Sequence, residues 1–258
     1  MPDYTRIDDS HLLNYIFYPR PDFTRPPKDA FDLFVSVEPG VDVSCRFYVG
    51  DRNWPLILYF HGNGEVVSDY DHIAPIYNQR ELNLVVADYR GYGASGGLPT
   101  LAAISSDCHL ILASVKEEIS RRTFTGGLWI MGRSLGSISA IELAYRSNHD
   151  FRGLVIESGF VSILPVMKHL GLSLPADTDA DKIEAEALAM VHEIKLPALI
   201  IHGEDDQLVP LEEAKRFYDN LGSAEKRLVI IPGADHNDIM FTGIDQYFEA
   251  IKDFVASA

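Results

Sequence analysis

Between Gly127 and Ala144 the chain passes from an apolar run, through Gly132-Arg133-Ser134-Leu135-Gly136, into a stretch of helical periodicity. Leu128 to Met131 reads as a short buried strand, and Leu135, Ile138, Ile141 and Leu143 fall at roughly helical spacing, so Ser134 sits at a strand-to-helix turn. A turn that sharp leaves no room for side chains two positions away on either flank, which accounts for both glycines, and it pushes the serine hydroxyl out of the backbone. Ser134 is thereby a candidate nucleophile, and the rest of the chain is constrained to supply a base, an acid and an oxyanion hole around it.

The continuous apolar runs extend the argument to the whole chain. Pro55 to Phe60, Leu82 to Ala87, Leu128 to Met131, Leu154 to Ile156, Ala198 to Ile201 and Leu228 to Ile231 are such runs. Helical segments are expected between them at Val66 to Gln79, Leu101 to Ile119, Leu135 to Ser147, Asp181 to Glu193, Leu211 to Leu221 and Phe241 to Val255. That alternation means an α/β fold with a mostly parallel sheet covered by helices on both faces. Ahead of it, Phe31 to Val37 and Val41 to Val49 alternate apolar and polar residues around Pro39-Gly40, an antiparallel hairpin. With 258 residues and 47% hydrophobic content, a single domain spanning 1–258 is expected. It opens with an N-terminal arm over 1–30, whose irregular, proline-rich stretch from Pro19 to Pro27 is expected to lie over the surface.

The formal net charge of −16 repels phosphate backbones and acidic headgroups, so no nucleic-acid partner is expected. Cys45 and Cys108 are the only cysteines, too few for a disulfide framework or a thiolate metal site, and read as buried thiols. The acidic N-terminus is unlike a signal peptide and no apolar run reaches membrane-spanning length, so a cytoplasmic location with no integral membrane segment is expected. Oligomeric state has no signature here.

In a parallel sheet, ligands bind outside the carboxyl ends of the strands. Those ends carry His61-Gly62-Asn63-Gly64, Ser134, Gly203-Glu204-Asp205-Asp206 and Asp235-His236-Asn237-Asp238. His236 is the candidate general base, an imidazole that titrates near neutral pH; His202 lies inside an apolar strand and reads as a packed residue. For the acid, Asp205, Asp206 and Glu157 all stand at strand ends. Two backbone N–H groups must face the developing oxyanion, and Leu135 at the start of the helix supplies the first. The second belongs to the His61-Gly62-Asn63-Gly64 loop.

These stretches, with Asp88-Tyr89-Arg90-Gly91-Tyr92-Gly93-Ala94-Ser95, His202 to Pro210 and Gly233-Ala234-Asp235-His236, resemble the successive landmarks of α/β-hydrolase serine enzymes. They look most like the serine-aminopeptidase-like and depalmitoylase-like branch, over roughly Phe31 to the C-terminus. The order serine, acid, histidine is that of the α/β-hydrolases. The resemblance implies the α/β-hydrolase fold and a Ser134–His236–Asp206 triad. Asp206 fits its G-x-x-D-x-x-V pattern through Gly203 and Val209, whereas Glu157 stands where some relatives carry the acid. It also implies Asn63 as the second oxyanion amide, with Gly62 and Gly64 as alternatives.

Other motifs carry less. Gly91 to Gly96 matches G-x-G-x-x-G, but Gly97-Leu98-Pro99-Thr100 intervenes before the next helix and no acidic strand end follows. A nicotinamide or flavin cofactor is therefore not expected, and the loop reads as support for the site's edge. Asp177, Asp179 and Asp181 alternate like calcium ligands, yet Lys182 and Leu188 occupy the positions of the turn glycine and closing glutamate. They read as caps on a helix beginning near Lys182, and no metal is expected. The insertion 161–196 reads as a small helical cap, with Ile163, Leu164, Val166, Met167, Leu170 and Leu172 either lining an acyl site or packing on the sheet. Glu184, Glu186 and Glu193 read as a solvated helix face. The expected function is a serine hydrolase acting on a small-molecule acyl substrate, a carboxylic ester or thioester, through an acyl-enzyme. A serine aminopeptidase or amidase, or an idle ligand-binding relative, are the alternatives.

Overall fold

Along β3 (Leu56–Phe60), Leu56, Leu58 and Phe60 pack into one apolar cluster while Ile57 and Tyr59 pack into another. Successive side chains leave a strand on opposite faces, so a strand buried on both sides reads as an unbroken apolar run. The computed structural model describes residues 2–257. In it, eight strands form one sheet in the order β1-β2-β4-β3-β5-β6-β7-β8. Besides β3 these are β1 (Ala30–Glu38), β2 (Val41–Tyr48), β4 (Asn83–Ala87), β5 (Leu128–Arg133), β6 (Leu154–Glu157), β7 (Ala198–Gly203) and β8 (Lys226–Ile231). β1 and β2 form the antiparallel hairpin, β2 meets β4 antiparallel, and every other pairing is parallel.

The helices divide by face. α4 (Leu101–Arg121), α5 (Ser137–Arg146), α6 (Ile163–His169), α7 (Ala180–Glu193) and α8 (Leu211–Asn220) bury their apolar residues with the cluster that holds Leu58. α3 (Ala74–Asn78), α9 (Ile239–Thr242) and α10 (Ile244–Ser257) cover the face that holds Tyr59. The fold is thus the expected mostly parallel α/β sandwich with an antiparallel N-terminal pair.

Helices are where the expectations need correction. The segment 66–79 is broken into a 3-10 turn at Val67–Asp71 and the short α3. Pro75 has no N–H to donate to the carbonyl a turn earlier and disfavours helix at the residue before it, while the Tyr48 hydroxyl takes the Val67 carbonyl at 2.6 Å. The C-terminal helix is divided at Gly243, where an added Cβ would lie 2.3 Å from Ile231 Cγ2, so the chain bends to stay against β8. Asp179 caps α7 by accepting from the Lys182 amide at 3.1 Å, and Asp177 pairs with Arg6.

The N-terminal arm departs from expectation in part. Its proline-rich stretch from Pro19 to Pro27 is irregular and lies over the surface as expected, but the residues before it fold into α1 (Thr5–Asp8) and α2 (Leu13–Ile16) and bury Tyr4, Ile7, Leu12, Ile16 and Phe17 in the core. The Asp8 carboxylate accepts from the Leu101 and Ala102 amides at 2.8 and 2.9 Å, capping α4 beside the Thr100 cap. A carboxylate there meets the positive end of a long helix.

Candidate active site

The end of β5 places Ser134 at φ 49°, a left-handed conformation that β-carbons resist. Close packing holds it there. A Cβ on Gly132 would lie 2.4 Å from the Gly136 carbonyl oxygen, and one on Gly136 would lie 2.0 Å from that of Phe60, so side chains at either position would force the turn away from β3. The Ser137 hydroxyl donates to the Ser134 carbonyl at 2.6 Å and fixes the turn from the helix side.

Ser134, Leu135, Asn63 and His236 border one cavity of about 520 Å³, within the usual size of small-molecule sites. His236 Nδ1 lies 2.7 Å from Asp206 Oδ2, leaving Nε2 as its other ring nitrogen. Asp206 Oδ1 accepts from the Leu208 and Val209 amides at 3.0 and 2.8 Å. Burial would raise the Asp206 carboxyl, but the His236 and Val209 interactions outweigh it and hold the group below its ordinary 3.8. Asp205 is exposed. Glu157 is buried on the far side of Arg133, taken up by Arg133 Nε at 3.1 Å and by the Tyr59 and Tyr247 hydroxyls at 3.0 and 2.7 Å. Of the three carboxylates, Asp206 alone meets the His236 ring.

His202 is a packed residue beside this pair. Its Nε2 donates to the Val209 carbonyl at 2.8 Å and lies 3.4 Å from Asp206 Oδ2, while burial pushes its pKa down and keeps the ring neutral. His61 is structural too, with Nδ1 against the Gly62 carbonyl and Nε2 against Asp88. Within its loop, the Gly62 amide is spent on Glu65 Oε2 at 2.8 Å, and only Asn63 of the three loop candidates reaches the cavity. The Gly91–Gly96 loop closes on itself from the Gly91 amide to the Gly96 carbonyl at 3.0 Å and packs Gly93 against Asp88, which supports this edge of the sheet.

Arg133 is a functional candidate the sequence reading did not single out. Buried between Gly132 and Ser134, its guanidinium donates to Glu157, to Glu65 and, at 2.7 Å, to the His236 carbonyl. Glu65 in turn holds the Gly62 amide and the Tyr70 hydroxyl. One planar cation thus ties the base loop and the Asn63 loop to the serine turn. Burial would raise the Glu65 carboxyl, yet Arg133, His61, Tyr70 and the Gly62 amide hold it below its ordinary value; burial leaves Glu157 above its own. The signal in the sequence was a charge at the end of the apolar run Leu128 to Met131, a place where burial demands partners.

The cap contributes through α6 and the turn after it. Ile163, Val166, Met167, Leu170 and Leu172 line the cavity, whereas Leu164 faces the core. No residue of α7 borders the cavity; Glu184 there pairs with Arg216 and Glu186 with Lys182. The opposite wall comes from the arm, through Tyr15, Ile16 and Tyr18. No carboxylate borders the cavity among the described residues.

A sheet of this topology with a strained serine turn, and with an acid and a histidine on later strand ends, defines the α/β-hydrolase class. Comparison with known proteins agrees: a family model described as "Serine aminopeptidase, S33" matches residues 52–176 and 178–240, and the chain belongs to that hydrolase family. Protein bem46 of Schizosaccharomyces pombe is 31% identical over 214 residues, covering 78% of this chain and 67% of that protein. The human alpha/beta hydrolase domain-containing protein 17B is 26% identical over 236 residues, covering 89% and 76%. Among solved structures, the Pyrococcus furiosus esterase Pf2001 superposes with a TM-score of 0.74 at 19% identity, covering 94% of this chain and 99% of that one. No helix among the described residues is long and apolar enough to cross a membrane.

Proposed function

We propose that this protein is a serine hydrolase that cleaves a carboxylic ester or thioester through an acyl-enzyme. The observation that carries the reading is the His236 Nδ1 to Asp206 contact at 2.7 Å, made by a ring that borders the same cavity as the strained Ser134. Asp206, ionised, keeps the Nδ1–H tautomer, so Nε2 is free to take a proton. Ser134 Oγ attacks the substrate carbonyl carbon as its proton passes to His236 Nε2. The amides of Asn63 and Leu135 hold the resulting oxyanion. Collapse expels the alcohol or thiol, which takes the proton from His236; water, deprotonated by the same nitrogen, then attacks the acyl-enzyme carbonyl, and breaking of the bond to Ser134 Oγ releases the acid as His236 returns the proton to that oxygen.

The lining supports an acyl substrate over an amine. An aminopeptidase must hold an ammonium group, and the wall offers apolar α6 side chains but no carboxylate among the described residues. Esters and thioesters also carry leaving groups that depart more readily than amines. The esterase named among the similar folds is in keeping with this reading. The test compares kcat/KM for p-nitrophenyl esters of increasing acyl length, an acyl-CoA thioester and aminoacyl-nitroanilides on one preparation. Esters and thioesters are expected to exceed the nitroanilides; a preference for nitroanilides would replace the ester reading with an aminopeptidase.

A further inference from the structure

The Asn63 side chain is engaged as fully as its position is exposed to the cavity. Its Nδ2 donates to the Ile16 carbonyl at 2.6 Å, and its Oδ1 accepts from the Tyr18 amide at 3.0 Å and the Tyr92 hydroxyl at 2.6 Å. The carboxamide orientation follows from these partners, because reversing it would set its NH₂ against the Tyr18 N–H and its oxygen against the Ile16 carbonyl. The next residue is held from the same segment, where Arg20 Nε donates to the Gly64 carbonyl at 2.9 Å.

The segment making these contacts is itself anchored. Upstream, Asp8 caps α4 and Ile7, Leu12, Ile16 and Phe17 are buried. Downstream, the Gly93 amide donates to the Arg20 carbonyl and the Asp22 amide to the Gly93 carbonyl, both at 3.0 Å.

We propose that the N-terminal arm is a working part of the active site: residues 16–20 clamp the Asn63 loop so that the Asn63 amide faces the oxyanion, with the Asn63 carboxamide as the positioning group. Within the loop, the Gly62 carbonyl, on the other edge of the same peptide plane as the Asn63 N–H, meets His61 Nδ1 at 2.8 Å and the Glu65 amide at 3.3 Å. On the far side of Asn63, where Gly64 is at φ 79°, the bonds to the Asn63 side chain and to the Gly64 carbonyl come from the arm and Tyr92. Oxyanion stabilisation depends on donors that are already aimed when charge develops. The inference rests on the serine-hydrolase reading of the same site.

The test uses the full chain. Asn63→Ala keeps the backbone N–H and removes every side-chain contact to the arm, and Tyr92→Phe removes a single hydroxyl. kcat and KM are measured on short and longer p-nitrophenyl esters, with active sites counted by fluorophosphonate titration and Tm recorded alongside. Asn63→Ala is expected to lower kcat per titrated site by about 10- to 100-fold with KM little changed at every chain length, the size of loss expected for a misaimed catalytic donor. Tyr92→Phe is expected to show a smaller loss of the same kind, and it decides the matter if Asn63→Ala does not fold. Wild-type kcat per titrated site in the folded variants, with only Tm lowered, would overturn the clamp while leaving the hydrolase reading intact. A wild-type protein that neither titrates nor hydrolyses any ester would overturn both.

Discussion

Ser134, His236 and Asp206 are the residues that the sequence puts forward as a triad. Each stands on a short pattern whose glycines or neighbours are dictated by local geometry, so spacing alone points to them; choosing Asp206 over Glu157 and Asp205 needed the resemblance to a family. The structure places the Asp206 carboxylate against the His236 ring and sends Glu157 to Arg133. The partners of Arg133 and of the Asn63 side chain were illegible for a common reason: most of them lie far along the chain. Asp206→Asn is expected to lower kcat by on the order of 10⁴, as wrong-tautomer variants of such triads do, with Glu157→Gln and Asp205→Asn much milder. Against the effect of burial, the His236 ring and the Val209 amide hold the Asp206 carboxyl below its ordinary 3.8, so the stability it contributes is present above the carboxylate range and lost as the pH falls through it. The Tm difference between wild type and Asp206→Asn should therefore shrink as the pH is lowered. Thermal unfolding over a pH series checks the sign; a difference that does not change with pH would detach Asp206 from His236.

Strands were legible and helix boundaries less so, because a strand buried on both faces writes its burial directly into the sequence, whereas the extent of the break at Pro75 and the division at Gly243 depend on contacts with Tyr48 and Ile231 of other elements. The turn between β5 and α5 is the element on which the site depends. Arg133 connects it to the loops after β3 and β8, with Glu157 buried and Glu65 half-buried against that single guanidinium. Arg133→Met would leave both carboxylates without their cation, at a cost of about 3–5 kcal/mol for a broken buried pair. Arg133→Lys keeps the charge but lacks the planar fork that reaches all three groups. The Met variant is expected to show a large loss of Tm. The Lys variant is expected to fold with kcat lowered by up to about 10²-fold, through loops displaced by an ångström or less. Steady-state kinetics with thermal unfolding of both variants checks this, and a Met variant of wild-type Tm would show that the network stabilises nothing.

At the scale of the whole molecule, the fold class and the edge of the sheet that holds the site were both legible, since the alternation of apolar runs and helical segments fixes a parallel sheet and a parallel sheet puts its chemistry at the strand ends. The arm was not legible. It has no periodicity, and its contacts reach from Asp8 to the start of α4 and from Tyr18 to Asn63, separations no local pattern records. The candidate site therefore draws on both ends of the chain: the arm and α6 wall the space, and the strand ends from β3 to β8 carry the proposed triad and oxyanion residues. Everything converges on one hydroxyl. The most direct measurement is intact-mass analysis of the protein after a fluorophosphonate and, separately, after a slow-turnover p-nitrophenyl ester, followed by peptide mapping and repeated on Ser134→Ala. A single adduct on Ser134, absent from a Ser134→Ala variant of wild-type Tm that hydrolyses no ester, is the predicted result. Adduct formation at another residue, or ester hydrolysis that survives in Ser134→Ala, would contradict the account.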